Sequence, residues 1–165
     1  GGPNGEGLLS QTGEGQGIMV VEHLDELYRE VILDHFRSPR NVGELPGAQI
    51  HAEGDNPLCG DQMAFWVALN GARIAQANFL GKGCAISQAA GSMLTEQLQG
   101  KTLPEAEALI RSLKGLMQGQ APPPNVELGD LEALGGVRKF PVRVKCAALS
   151  WNVLEQGLKE YHGGH

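Results

Sequence analysis

The chain has little cysteine, no excess of positive charge and no long apolar run, and each shortage removes a class of function. Three cysteines in 165 residues cannot close a disulfide framework, because pairing two leaves one over. They read as free thiols of a reducing compartment. A net charge of -6 supplies no basic footprint for phosphates, so neither nucleic acid nor an anionic membrane is the expected partner. No stretch reaches the ~18 to 20 apolar residues needed to cross a bilayer, and the first residues lack the basic start and apolar core of a secretory signal. The expectation is a cytoplasmic protein whose partners are proteins or small species. No Cys-x-x-Cys pair occurs, so no zinc-finger pattern is present either.

The length suits one domain. Residues 1–18 are glycine-rich and hold little that could enter a core, so they are expected to form a flexible tail. The domain itself is expected over residues 19–165. Leu24, Leu27, Tyr28, Val31, Ile32 and Phe36 mark one face of a first helix, which Ser38-Pro39 ends. Met63, Phe65, Val67 and Leu69 alternate with Gln62, Ala64, Trp66 and Ala68, the period of a strand. Asn70-Gly71 then offers the positive φ angles of a two-residue hairpin turn. Residues 48–54 offer a weaker third strand. From Ala85 the period becomes helical through Ile86, Ala89, Ala90, Met93, Leu94 and Leu98, with Gly100 as the stop. Thr102 and Glu105 form a capping-box signature for another helix, with Pro104 in its first turn. Pro122-Pro123-Pro124 marks an extended linker within 119–125, and Asp130 to Leu134 a short helical piece. Pro141 fits the start of a last helix carrying Val142, Cys146, Leu149, Val153, Leu154 and Leu158. Strands early and helices late predict an α+β fold, a small three-stranded antiparallel sheet packed against several helices.

Hairpin geometry brings chemistry together. A regular turn at residues 70 and 71 sets Asp61 opposite Leu80 and Cys59 near Lys82, which leaves Cys59 and Cys84 roughly 8 Å apart. Gly81-Lys82-Gly83 leads into a helix at Ala85, so a Cys84 thiolate meets unsatisfied N-H groups and the positive end of the helix dipole, with Lys82 able to add to that field. Cys146 is not placed by this arithmetic, and a buried, inert core cysteine is an even alternative for it. Asp61 beside Gly60 has the alternative of capping a turn. Three thiolates and one carboxylate would make a four-coordinate, sulfur-rich site for zinc or an iron-sulfur centre, with the oxygen ligand easier to displace. His51, His162 and His165 have no metal-motif spacing, and His35 reads as a satisfied helix-face residue. Trp66 and Trp151 read as packing residues.

Four segments, in order, carry a family likeness: Ile32-Leu33-Asp34-His35-Phe36 with Ser38-Pro39-Arg40-Asn41; Asp55-Asn56-Pro57-Leu58-Cys59-Gly60-Asp61; Gly81-Lys82-Gly83-Cys84-Ala85-Ile86-Ser87; and Phe140-Pro141-Val142-Arg143-Val144-Lys145-Cys146. The sequence resembles the SufU/IscU/NifU N-domain family of iron-sulfur cluster assembly proteins. The resemblance implies a SufE/NifU-like α+β fold and Cys59, Asp61, Cys84 and Cys146 as metal or cluster ligands. Members of the IscU branch carry His directly before the third cysteine, where this chain has Lys145, and residues 118–138 look like an insertion of the SufU branch. SufU-type proteins bind zinc and accept persulfide sulfur from a SufS-type cysteine desulfurase. The implied role is therefore a zinc-dependent sulfur acceptor, with Cys59 receiving the sulfur and passing it onward. The alternative implied role is a non-enzymatic scaffold for a transient [2Fe-2S] cluster delivered to acceptor apoproteins. Arg143, one helical turn before Cys146, stands between a charge near the site and a solvated helix residue. Lys145 stands between a surface charge and a role at the site.

Overall fold

The structure, a computed structural model, describes residues 25–57 and 60–164. The expected tail over residues 1–18, and Cys59 itself, lie outside the described residues. Helix α1 (Glu26–Arg37) is followed by strands β1 (Ile50–Asn56), β2 (Asp61–Asn70) and β3 (Arg73–Lys82). Then come α2 (Ala85–Leu98), α3 (Leu103–Met117), a 3-10 segment (Gly129–Lys139) and α4 (Pro141–Gly164). The sheet is antiparallel with order β1-β2-β3, as the alternation of apolar residues predicts. The 3-10 segment covers the expected piece at Asp130 to Leu134 and runs further at both ends.

The core face of the sheet carries successive rows of buried side chains, Ile50, Val67 and Ala77 forming one of them. Ala52, Phe65 and Phe79 lie across from one another on the three strands and are all buried. Helices α2 and α4 cover that face. The other face carries Glu53, Ala64 and Leu80 in one row and His51, Trp66 and Asn78 in the next. His51 stacks on Trp66 with ring centroids 4.8 Å apart, an offset for the apolar area that this half-buried indole leaves at the surface. Trp151, in contrast, is wholly within the core.

The hairpin departs from the regular register. Asn70 pairs with Arg73, so Gly71 and Ala72 form the turn, with Gly71 at φ +63°. A bulge then interrupts the ladder between Ala68 and Leu69. A turn at residues 70 and 71 would have set Gln62 against Phe79, whereas Gln62 faces Lys82, and Leu80 faces Ala64. Moving the turn by one residue preserves which side chains face inward, and the bulge is what changes the parity. Hence Ile74 and Ala77, three residues apart, are both buried. The slide leaves Lys82 beside Gln62, and carries the end of β3 past Asp61.

The helices follow their sequence signals closely. Thr102 accepts from the Glu105 N–H while the Glu105 side chain accepts from Thr102, closing the capping box at α3, a device worth ~1 kcal/mol. Ala106, Leu109, Ile110 and Leu113 are buried from that helix. Helix α4 is central, touching β1, β2, α2, α3 and the 3-10 segment. It therefore buries far more than one stripe, from Arg143 and Cys146 to Leu158. Two residues of the expected apolar faces lie outside the core: Leu27 and Val142 are 71 % and 51 % exposed, each in the first turn of its helix, beyond the neighbours that cover the later turns. Among the described residues no helix is long and apolar enough to cross a membrane.

Candidate metal centre

Three donor side chains meet where β2 begins, β3 ends and α4 enters the core. Asp61, Cys84 and Cys146 each offer one ligand atom, all within 4.8 Å of one another, and all three residues are fully buried. Each is delivered by a different piece of backbone. Asp61 opens β2, paired with Asn56 of β1. Cys84 is the N-cap of α2, with extended backbone at φ -73° and ψ 165°. Cys146 lies in the second turn of α4, held there by the packing of Ala147, Leu149 and Trp151.

Asp61 joins the first two. Its Oδ1 accepts the Cys84 N–H at 3.1 Å and its Oδ2 lies 3.6 Å from Cys84 Sγ. One carboxylate thus satisfies a helix-start N–H and stands beside the thiol. Gly83 makes this approach possible. It has φ +140°, and a Cβ there would collide with the Asp61 carboxylate, so any other residue would be strained and would push Asp61 away.

The electrostatics favour a thiolate at Cys84. Its pKa is lowered from the ordinary thiol value to about 6, chiefly by a hydrogen bond from Cys146, with further help from the Ser87 backbone N–H and hydroxyl. Burial and the Asp61 charge oppose the shift. The Ser87 hydroxyl lies 3.8 Å from Cys84 Sγ and donates to the Cys84 carbonyl at 3.0 Å. Ser87 was not singled out from sequence, though a hydroxyl three residues into a helix that starts on cysteine is a readable signal. Arg143 is buried, and its Nη1 donates to Cys146 Sγ at 3.5 Å, so of the two readings of this residue the solvated one is excluded. Lys145 is exposed, as is Lys82.

This donor set fits a soft-leaning divalent metal. A buried carboxylate and a buried thiolate side by side repel each other, and buried charges persist where they are paired or coordinate a cation. Two sulfurs and one oxygen within reach of a single point match the tetrahedral preference of zinc, with one position open for a further ligand. Of the four ligands implied by resemblance, Asp61, Cys84 and Cys146 converge. Asp61 does accept a helix-start N–H, and Cys146, buried in the core, lies beside two other donor side chains.

Comparison with known proteins agrees with this architecture. The model of the NifU-like N terminal domain matches residues 27–165. The chain is 43% identical over 143 residues to the zinc-dependent sulfurtransferase SufU of Bacillus subtilis (strain 168), covering 87% of this chain and 97% of that one. It is 40% identical over 141 residues to the iron-sulfur cluster assembly scaffold protein IscU of Streptococcus pyogenes serotype M1, covering 86% and 88%. Among solved structures, a SUF-system protein (FiSufU) of Fervidobacterium islandicum AW-1 superposes with a TM-score of 0.73 at 36% identity, over 78% of this chain and 94% of the other. The chain belongs to the NifU-like N terminal domain family.

Proposed function

We propose that this protein serves iron-sulfur cluster assembly as a zinc-dependent sulfur acceptor, taking persulfide sulfur from a cysteine desulfurase. The observation that carries the reading is the buried convergence of Asp61, Cys84 and Cys146. Its likeness to a zinc-dependent sulfurtransferase over nearly the whole of both chains supports it. In this reading Cys59, tied to Asp61 by two peptide units, is the fourth ligand and the residue that accepts sulfur. Bound zinc would hold these donors deprotonated at neutral pH.

The residues of the chain supply the rest. Asp61 keeps Cys84 at the start of α2 through the N–H bond at 3.1 Å. Arg143 donates to Cys146 and so keeps positive charge beside the sulfur-rich site. Sulfur moves by attack of the Cys59 thiolate on the outer sulfur of the desulfurase persulfide. One S–S bond forms as another breaks, the desulfurase cysteine leaves as a thiolate, and no net oxidation occurs. Lys145, exposed beside Cys146, offers no imidazole to the centre, which favours relay over a cluster-holding role.

The test is a desulfurase assay with and without this protein, followed by mass analysis of its cysteines. Stimulated turnover with added sulfur on Cys59 is expected. No stimulation together with no persulfide on any cysteine overturns the proposal. The 40% identity to an IscU scaffold favours a second reading, a labile [2Fe-2S] cluster carried on the same ligands for acceptor apoproteins. Anaerobic reconstitution distinguishes the two, since a scaffold gives transferable cluster absorption and a relay retains only zinc.

A further inference from the structure

A second group of ligand-bearing side chains shares no residue with the centre above. His35 of α1, Glu96 of α2 and Asp130 of the 3-10 segment each present one ligand atom, all within 4.8 Å of one another. His35 is fully buried. Its Nδ1 lies 2.8 Å from the Ser92 hydroxyl, and that oxygen also accepts the Arg40 N–H at 2.9 Å. The imidazole is therefore fixed in orientation, with Nε2 aimed at Asp130 Oδ2 at 2.8 Å and Glu96 Oε1 at 3.4 Å.

Two carboxylates thus converge on one ring nitrogen. A neutral imidazole has a single proton to offer there, which serves Asp130 and leaves Glu96 at the longer distance. Arg40 adds positive charge that acts on Glu96 and Asp130 as well as on Asp34, to which its Nη2 is bonded at 2.5 Å. Counting Asp34, Glu96 and Asp130 against Arg40 leaves the group two charges negative with His35 neutral, which a divalent cation would balance.

We propose that His35, Glu96 and Asp130 form a second, divalent-cation site of mixed nitrogen and oxygen donors, open to solvent on its outer side. Binding places the cation on Nε2 of the ring in its Nδ1–H tautomer: the proton that Nε2 gives up to solvent is matched by one taken up at Nδ1, which then donates to Ser92, so the imidazole stays neutral. A ligating histidine held through its other nitrogen is the usual arrangement of such sites. One imidazole and two carboxylates suit a harder first-row cation than the sulfur-rich centre takes. Glu96 and Asp130 are 40 % and 53 % exposed at their side chains, so water can complete the coordination. The cation would cross-link α1, α2 and the 3-10 segment that leads into α4.

The experiment titrates manganese(II) into zinc-loaded full-length protein and follows free manganese by electron paramagnetic resonance. Manganese is chosen because it disfavours thiolate ligands. One saturable site is expected below about 1 mM, weakened about tenfold or more in the double variant Glu96→Gln, Asp130→Asn, a loss of the size that altering a coordination shell produces. Zinc content and far-ultraviolet circular dichroism should be unchanged in that variant, since both substituted side chains are half exposed and the buried His35 is kept. No saturable binding up to that concentration, or binding weakened less than tenfold in the double variant, overturns the proposal.

Discussion

Asp61 holds Cys84 by two atoms: Oδ1 accepts the Cys84 N–H at 3.1 Å while Oδ2 stands 3.6 Å from Sγ. The carboxylate is at once a support for the start of α2 and a neighbour of the sulfur it would share a metal with. Its two roles separate on substitution. Asp61→Asn keeps an acceptor for the N–H and removes the charge, so folding is expected to hold while zinc affinity falls ~10-fold or more. Asp61→Ala also orphans a buried N–H, at a cost of ~1–3 kcal/mol, and should still fold. Zinc content and urea unfolding, measured on both variants, check this. A domain that unfolds on losing the carboxylate would instead mark the centre as purely structural.

Gly83→Ala is expected to be worse than its size suggests. The residue sits at φ +140° and a Cβ there meets the Asp61 carboxylate. Backbone strain of ~1–3 kcal/mol should come with displacement of Asp61, so stability and zinc retention should fall together. Denaturant unfolding and metal analysis read the two effects, and a Gly83→Ala protein that retains zinc normally would contradict the close approach.

The lowered pKa of Cys84, about 6, fixes a sign for the metal-free protein. An acid whose folded pKa lies below its unfolded value of ~8.5 binds fewer protons when folded, so stability rises with pH between the two values. The contribution is complete above the unfolded pKa and is lost as pH falls through about 6. Unfolding midpoints of the metal-free protein should therefore climb from pH 6 to pH 9, and Cys84→Ala should flatten that slope.

Arg143 donates to Cys146 Sγ at 3.5 Å, which places a positive charge on a sulfur of the proposed metal site. Arg143→Gln removes the cation that favours the Cys146 thiolate and leaves the negative charge of a thiolate- and carboxylate-rich site less compensated. Zinc loss to a chelator is expected to quicken several-fold relative to the unsubstituted protein, a rate that stopped-flow with a colorimetric chelator measures directly.

The elements were legible in the sequence because each is specified locally. Alternation through Met63, Phe65 and Val67, the capping box at Thr102 and Glu105, and helical spacing from Ala85 all depend on neighbours within a few residues. The hairpin itself was legible too, but its register was not. Whether the chain turns at Asn70-Gly71 or at Gly71-Ala72, and whether a bulge forms at Ala68, is decided by which side chains the covering helices bury.

By itself, then, the sequence determined an α+β domain, a hairpin ending near Asp61 and Cys84, and a thiol at the start of a helix. Tertiary structure alone decided the rest. The three-residue slide puts Asp61 against Gly83 and Cys84 rather than opposite Leu80. The seating of α4 between the sheet and the other helices brings Cys146 and Arg143 to the same point from a distant part of the sequence. The reason is physical: periodicity encodes which face of an element is apolar, whereas the meeting of polar groups from three distant segments depends on how those faces pack. Helix α4 shows the limit most clearly, since its stripe announces a buried cysteine and only the neighbours it packs against bring that cysteine beside Asp61 and Cys84.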